Sequence, residues 1–375
     1  MNQASFVAPP GAAVPKPVTW DHKAYVQQLQ GEARLAAWKE FSENYWKTKS
    51  GGTPGEKNEF LFRRGFYRNR WWLYGLGRED AANYLSDIQV CLLPAVNGVY
   101  ANVANDRLLL NHALSAYCRV PVIHALRGLG AAEVSFSEEW EAHRAGSNDA
   151  PDMQVVIQPL PVSVQGRTET VSLAKGEFSG FGKHGPLKQL RHIVKDWSLA
   201  ANSAYLFSEA LVQGRFARQM FPGAVNRLHV LMGRHHDSWE PHIVAAVLCI
   251  GTLSSASRTS LEAGGLSARV DTHTGELTAC VGLLEGPKLG RHDVHPDTGT
   301  PIVGSRVPQW DSIRASLLRI FDESSYLRVC AFDFVLMDGE LGLLGAALPD
   351  VVAIQVHRPL LADAVFADQL RRLKL

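Results

Sequence analysis

The sequence predicts an α+β fold, because strand-like and helix-like segments occur in the same 375-residue chain. Two apolar runs, residues 329–337 and 341–347, flank an Asp338-Gly339 pair, which is the sequence form of a β-hairpin. Both runs are almost wholly apolar, so both faces of the two strands are expected to be buried. Elsewhere, apolar residues recur at threes and fours over residues 20–48 and 187–201, which predicts helices.

Composition excludes several classes of protein. Hydrophobic residues make up 46% of the chain and charged residues 20%, as expected for a globular protein, and the net charge of +1 indicates no nucleic-acid surface. No run of about twenty apolar residues and no signal peptide is recognisable, so no membrane association is expected.

The cysteines predict a reducing compartment. They are widely spaced, odd in number and lie mostly within apolar runs, so we expect reduced core thiols and a cytoplasmic location. No C-x-x-C pair occurs, so a zinc site is not expected. These cysteines are Cys91, Cys118, Cys249, Cys280 and Cys330.

The N-terminal part predicts a tail followed by helices. Residues 1–19 are rich in Ala, Pro and Val and predict a disordered tail. Residues 59–76 interleave arginines with aromatic residues. This pattern favours an amphipathic helix or a contact with a protein partner, and nucleic-acid stacking is the alternative. Residues 78–90 predict another helix.

The middle of the chain contains two segments that could bear on phosphate binding. Residues 154–159 predict a strand, and the loop 160–167 that follows contains proline and β-branched valines, which suit phosphate poorly. Residues 179–185 form a glycine-rich stretch containing Lys183. A surface hairpin is one interpretation, and phosphate binding by Lys183 is the other.

Asp333 lies within the first run of the C-terminal hairpin. A carboxylate in a buried strand costs several kcal/mol unless it is paired, hydrogen-bonded or bound to a metal. Two interpretations follow: an Asp paired with an arginine or the backbone, or a metal ligand or catalytic carboxylate at the rim of a cleft.

The C-terminal third resembles the sugar-transfer-associated branch of the ATP-grasp proteins, which is related to α-L-glutamate ligases. Residues 295–299 read HPDTG, and Gly304, Pro308 and Trp310 follow at the spacing of the HPDTG…G…P-x-W signature of that branch. Ala331-Phe332-Asp333 looks like its Gly-Trp-Asp. The resemblance extends over residues 84–361.

The resemblance implies an ATP-grasp fold, in which two α+β subdomains grip a cleft, here with an N-terminal helical extension. It also implies ATP and Mg²⁺ as cofactors, and a reaction in which a carboxylate activated as an acyl phosphate is attacked by an amine. The implied segments are a disordered tail (1–19), a helical and aromatic region (20–83), an N-terminal α/β subdomain (84–150), a nucleotide lid (151–212) and a C-terminal core (213–375).

Candidate site residues follow from matching positions. The resemblance places Glu209 at the adenine and ribose and Asp333 at the metal, and it retains Asn226. The candidates are Asp333, His229 and Arg227 for catalysis, Glu209, Gln158, Lys183 and Asn226 for the nucleotide, and Asp333 for the metal.

Several positions depart from the family pattern. Gly345 and Ala347 stand where the family has the other metal ligands, Glu and Asn. Gln158 replaces a phosphate-binding Lys, and Cys249 replaces an Arg. Losing one charged partner of this kind typically costs about 10²–10³ in rate, so losing several should leave little phosphoryl chemistry.

Three functional hypotheses remain at this stage. The first is a pseudo-ligase that acts as a binding or assembly protein, for a partner protein, a second copy of the chain, or a small carboxylate, amine or peptide. The second is an active carboxylate–amine ligase with a rebuilt ATP site. The third is a different reaction with Asp333 and His229 as acid and base.

Overall fold

The computed structural model describes residues 22–48, 53, 55–76, 81–129, 133–147, 149–162, 164, 166–256, 258–284, 288–347 and 350–372. The predicted tail, residues 1–19, lies outside the described residues. No helix within the described ranges is long and apolar enough to cross a membrane.

The helices are distributed along the whole chain. They are α1 (His22–Tyr45), α2 (Gly55–Arg64), α3 (Arg70–Leu73), α4 (Asp87–Leu92), α5 (Pro94–Asn97), α6 (Ala101–Asn105), α7 (Arg107–Leu114), α8 (Glu138–Ala145), α9 (Leu187–Ala201), α10 (Arg215–Met220), α11 (Trp310–Glu323), α12 (Val351–Gln355) and α13 (Ala364–Arg372).

The strands form two sheets. The first contains β1 (Ile123–Arg127), β2 (Glu133–Ser135), β3 (Met153–Pro159), β4 (Glu169–Ala174), β5 (Glu177–Gly180), β6 (Lys183–Pro186) and β7 (Tyr205–Glu209). The second contains β8 (Arg227–Arg234), β9 (Pro241–Ile250), β10 (Leu266–Val270), β11 (Leu277–Leu283), β12 (Leu289–Arg291), β13 (Val329–Leu336) and β14 (Leu341–Ala347).

The first sheet, which we call the lid sheet, has the order β2-β1-β7-β3-β4-β5-β6, and its neighbouring strands pair antiparallel. Helices α8 and α9 pack on one of its faces through Trp140, Leu190 and Val194. Strands β1 and β2 come from the segment assigned to a separate N-terminal subdomain, so the sheet crosses the boundary drawn between residues 150 and 151.

The second sheet, which we call the core sheet, has the order β12-β11-β10-β9-β8-β13-β14 and is also antiparallel. Helices α10 and α11 pack on one face, and α12 and α13 on the other. The predicted α+β fold, here two antiparallel sheets flanked by helices with further helices at the N-terminus, is therefore confirmed.

The C-terminal hairpin forms as predicted. Strands β13 and β14 pair antiparallel, and the turn between them contains Gly339 at φ +99°. A residue with a side chain is strained at such a φ, which explains the glycine. The residues of β13 are buried on both faces except Asp333, which is partly exposed. The one polar position of the strand therefore opens toward the site.

The N-terminal helices differ from the prediction. The single helix expected over residues 59–76 is interrupted at Gly65, whose φ of +77° ends α2. Residues 78–80 of the helix expected over 78–90 lie outside the described residues. From residue 81 on, the α-helical part is α4, where Ser86 accepts a bond from the Gln89 N–H in a capping box. Hydrophobic periodicity predicted longer helices than the structure has. Periodicity does not reveal a glycine in a left-handed conformation or a helix cap, and these set the ends of the helices.

Candidate functional site

The candidate site lies on the core sheet where strands β8, β13 and β14 run side by side. Asp333 of β13 is directly opposite His229 of β8 on one side and Gly345 of β14 on the other. Arg227 lies two residues before His229, so its side chain emerges from the same face of the sheet. Three predicted candidates, Asp333, His229 and Arg227, are thereby brought together.

These side chains form a closed ionic network with Asp350, the N-cap of α12. One Arg227 nitrogen lies 2.8 Å from Asp333 Oδ1, and another lies 2.7 Å from Asp350 Oδ2. His229 Nδ1 is 2.7 Å from the same Asp333 oxygen. The backbone N–H of Asp350 donates to His229 Nε2 at 2.9 Å, so the ring proton sits on Nδ1 and is donated to Asp333.

The network fixes Asp333 as an anion. Burial raises the pKa of the Asp333 carboxyl, but the Arg227 guanidinium and His229 outweigh it and hold that pKa well below its ordinary value. Burial acts to lower the pKa of Arg227, and the surrounding carboxylates raise it well above its usual value. A carboxylate with so low a pKa is a weak proton acceptor at neutral pH, which does not favour acid–base chemistry by Asp333 and His229.

The third nitrogen of Arg227 is also engaged. Its Nε–H donates to Thr259 Oγ1 at 3.3 Å. Every nitrogen of this guanidinium therefore has a partner inside the protein.

A loop from the lid sheet covers the network. The N–H of Val162 donates to the Asn105 carbonyl at 2.8 Å, and Pro161 bridges to Asp106. A Cβ placed on Gly345 would lie 3.7 Å from Val162 Cγ2. An apolar side chain therefore faces the position where the family carries a metal-binding Glu.

Arg107 is a cation at the site that the candidate set omitted. One of its terminal nitrogens donates to the Pro159 carbonyl at 2.5 Å, and its Nε is buried without a hydrogen-bond partner among the described residues. Burial lowers the pKa of Arg107 to about 10, and the Asp333 charge partly opposes that shift. The signal was present in the sequence, since Asp106-Arg107 stands where the family has Asp-Lys.

Glu209 and Gln158, the candidates on the lid sheet, are engaged within the protein. Both oxygens of Glu209 lie 2.6 Å from an Arg119 nitrogen, and one also accepts the Val122 N–H at 3.1 Å. The side-chain amide of Gln158 donates to Ser208 Oγ at 3.4 Å.

Asn226 and Lys183 lie apart from the network. Asn226 is 0% exposed; its amide nitrogen donates to the Ala217 and Phe221 carbonyls, and its oxygen accepts the Gly251 N–H. It supports the strand that carries Arg227 and His229. Lys183 is exposed on β6, the edge strand of the lid sheet, in the predicted surface hairpin.

The donor set does not fit Mg²⁺. Among the described residues, no group of three or more His, Cys, Asp or Glu side chains could hold a metal ion. The Glu262 carboxylate lies 3.4 Å from Arg70 and so is also engaged by an arginine. Magnesium needs a nearly octahedral set of oxygens, whereas Asp333 and Asp350 are already bound to a guanidinium.

Comparison with known families agrees with the signature. Residues 198–357 match the family described as Sugar-transfer associated ATP-grasp. The match contains Arg227, His229 and Asp333 and lies C-terminal to Arg107 and Gln158. No curated protein matches the chain in sequence.

Similar solved structures are distant in sequence. D-alanyl-alanine synthetase A from Vibrio cholerae is 11% identical over 76% of this chain and 70% of its own, with a TM-score of 0.40. L-amino acid ligase from Bacillus licheniformis is 8% identical over 68% and 45%, with a TM-score of 0.34. N5-carboxyaminoimidazole ribonucleotide synthetase from Thermus thermophilus is 12% identical over 66% and 45%, with a TM-score of 0.33. The chain thus spans less than half the length of the latter two.

Proposed function

We propose that this chain, whose residues 198–357 match the Sugar-transfer associated ATP-grasp family, is a pseudo-ligase that uses the ATP-grasp cleft for binding and not for phosphoryl transfer. Its partner would be a protein, or a small carboxylate, amine or peptide of the kind that carboxylate–amine ligases act on. The observation that carries the proposal is the closed network of Arg227, Asp333, His229 and Asp350.

Charge balance supports this proposal. Phosphoryl transfer requires cations and metal ions that are free to meet the phosphate oxygens as charge moves. Arg227 has all its nitrogens bound to protein acceptors, and two of them meet the Asp333 and Asp350 carboxylates. A Mg²⁺ ion at Asp333 would have to share the carboxylate with the guanidinium 2.8 Å away or displace it. Breaking such a pair typically costs about 3–5 kcal/mol, which makes metal binding there unfavourable.

The covering loop supports the proposal independently. Val162 lies against Gly345, and the loop's backbone bonds to Asn105 and Asp106 hold it in that place. In a phosphate-binding loop, backbone N–H groups point at the ligand. Here the N–H of Val162 donates to a carbonyl of the protein itself.

A second function, an active carboxylate–amine ligase with a rebuilt ATP site, is favoured by one observation. The guanidinium of Arg107 is largely buried near Asp333 and has an unpartnered Nε. Arg107 could neutralise an incoming phosphate in place of the lysine that the family has where Gln158 stands in this chain. This alternative therefore depends on Arg107.

Isothermal titration of ATP with Mg²⁺ distinguishes the two functions. The pseudo-ligase proposal predicts no saturable heat from a cleft site at nucleotide concentrations up to about 1 mM, which corresponds to binding weaker than about 4 kcal/mol. An active ATP-grasp ligase titrated in the same buffer provides the positive control.

Two variants of Arg107 show whether any heat of ATP binding comes from the cleft. Micromolar binding that Arg107→Gln weakens about tenfold or more, and that Arg107→Lys preserves, would overturn the proposal in favour of the rebuilt ligase. Lysine keeps the charge that the family places at this position, so it is the matched control for loss of the cation.

A further inference from the structure

A basic pocket lies on the helix-covered face of the lid sheet, away from the network on the core sheet. Its volume is about 290 Å³, and it lies between the end of β1, the last turn of α8 and the first half of α9. Leu187 forms part of its wall. Its other lining residues are Arg127, Arg144, Lys188, Arg191, His192 and Lys195.

The spacing on α9 explains why the charges converge. Lys188, Arg191, His192 and Lys195 recur at intervals of three and four residues, which places them on one face of the helix. The opposite face of α9 is apolar and packs into the lid core. The helix also begins at this pocket without a side-chain cap, so its positive end adds to the field.

The cations are only partly neutralised by the protein. Glu133 lies 2.8 Å from Arg191 and 3.7 Å from Arg127, and Glu141 lies 2.7 Å from Arg144. These are the carboxylates that pair with the pocket arginines among the described residues.

The two pocket lysines, Lys188 and Lys195, form no ion pair within the described part of the chain, and both are exposed. Five permanent cations therefore face two carboxylates. Among the described residues, the pocket therefore has an excess of positive charge.

Arg127 is the strongest single indication of a ligand. It is 8% exposed, its nearest carboxylate is at the long distance of 3.7 Å, and its Nε is buried without a hydrogen-bond partner among the described residues. A buried guanidinium is normally paired and fully hydrogen-bonded. An anion in the pocket would complete its neutralisation.

We infer that this pocket binds the di- or triphosphate group of a small molecule. Clustered lysines and arginines recognise phosphate oxygens, and more than one phosphate is needed to match the excess of cations. The volume is close to the lower end of small-molecule sites and suits a compact anion. The site differs from the ATP-grasp cleft in position, and it does not depend on whether the cleft is catalytic.

The test is calorimetric titration of inorganic pyrophosphate and tripolyphosphate, without Mg²⁺, into the full-length protein at low salt. We expect saturable binding with a Kd below about 1 mM that weakens as salt is added. A double variant, Lys188→Gln with Lys195→Gln, should weaken it by about tenfold or more, because each lysine removes a charge-assisted contact. Both residues are exposed, so folding should be unaffected.

A matched double variant controls for net charge. Lys47→Gln with Lys288→Gln removes two exposed lysines that lie outside the lid sheet and its helices, and it should leave the Kd within about twofold. Equal weakening by both double variants would mean an adventitious ion only and would overturn the inference. Tighter, pocket-dependent binding of an oligonucleotide than of tripolyphosphate would also overturn it.

The same variants separate this site from the cleft. Heat from ATP that disappears in the Lys188→Gln, Lys195→Gln protein belongs to the pocket, whereas heat that disappears in Arg107→Gln belongs to the cleft. Failure of one proposal is therefore distinguishable from failure of the other.

Discussion

At the scale of single residues, the main feature is a carboxylate with a depressed pKa. The folded-state pKa of Asp333 lies below its unfolded value, chiefly because the Arg227 charge outweighs the cost of burial. Its stabilising contribution is therefore complete above the unfolded pKa of about 3.9 and is lost as the pH falls toward the folded value.

This sign gives a testable pH dependence. Asp333→Asn should lower the free energy of unfolding by about 3 kcal/mol at pH 7, because Arg227 and His229 lose a charged partner. Urea unfolding should show a constant difference from the wild type between pH 5 and 7 and a shrinking difference below about pH 4. A difference that stayed unchanged down to pH 3 would contradict a charged Asp333 in the folded protein.

The sequence identified Asp333 as a candidate residue but did not reveal the complete ionic network around it. One acidic residue in an apolar run is visible in the sequence, and a pair with an arginine was one of its two interpretations. The sequence did not show that Asp350 completes the network, because Asp350 and Arg227 are more than a hundred residues apart in the chain. The family pattern marked position 107 as basic, but no local pattern records the burial of Arg107 near Asp333, so it was left out of the candidate set.

At the scale of elements, two glycines of β14 differ in what surrounds them. A Cβ on Gly342 would lie 2.7 Å from Val335 Cγ1 and 2.9 Å from a Leu211 methyl, closer than real contacts allow. A Cβ on Gly345 would make only an ordinary contact of 3.7 Å with Val162. The hairpin thus has one glycine, Gly342, with no space for a side chain, and another, Gly345, where a methyl group fits.

We therefore predict opposite effects in one strand. Gly342→Ala should lower the free energy of unfolding by about 1–3 kcal/mol through overpacking. Gly345→Ala should be neutral or stabilise by about 0.5–1 kcal/mol, because alanine loses less conformational freedom on folding. Chemical denaturation of the two variants measures both effects. If Gly345→Ala proved the more destabilising, the covering position of Val162 would be wrong.

Elements with a clear hydrophobic periodicity or turn sequence could be predicted, whereas helix ends that depend on the backbone conformation of a single residue could not. Helix α9 occupies residues 187–201 as predicted, because its apolar positions face one core. The hairpin followed from its turn residues. The break at Gly65 was missed, because a glycine inside an aromatic run can either continue a helix or end it.

At the scale of the whole molecule, a buried ion pair joins α3 to α4 in the N-terminal part of the fold. Arg70 contacts Asp87 at 2.8 Å, and their side chains are 7% and 8% exposed. Around them, Leu73 and Tyr74 pack against Leu261 and Val352 of the core. The extension is therefore an integral part of the fold.

Removing this pair should loosen the extension. Arg70→Met leaves Asp87 buried without its cation, and we expect a loss of about 3–5 kcal/mol and faster proteolysis within residues 55–76. Arg63→Met breaks the exposed pair with Glu59 and should change stability by less than about 0.5 kcal/mol. Urea unfolding and limited trypsin digestion compare the two. Equal losses in both variants would show that the buried pair does not stabilise the extension.

The central proposal is that the cleft at the Arg227–Asp333–His229–Asp350 network does not perform phosphoryl transfer. The most direct test is ADP formation by concentrated protein with ATP, Mg²⁺, mixed carboxylic acids and amines, with hydroxylamine present to trap an acyl phosphate. The account predicts ADP at the level of the protein-free control. ADP or hydroxamate above that level, abolished by Arg107→Gln and preserved by Arg107→Lys, would contradict it.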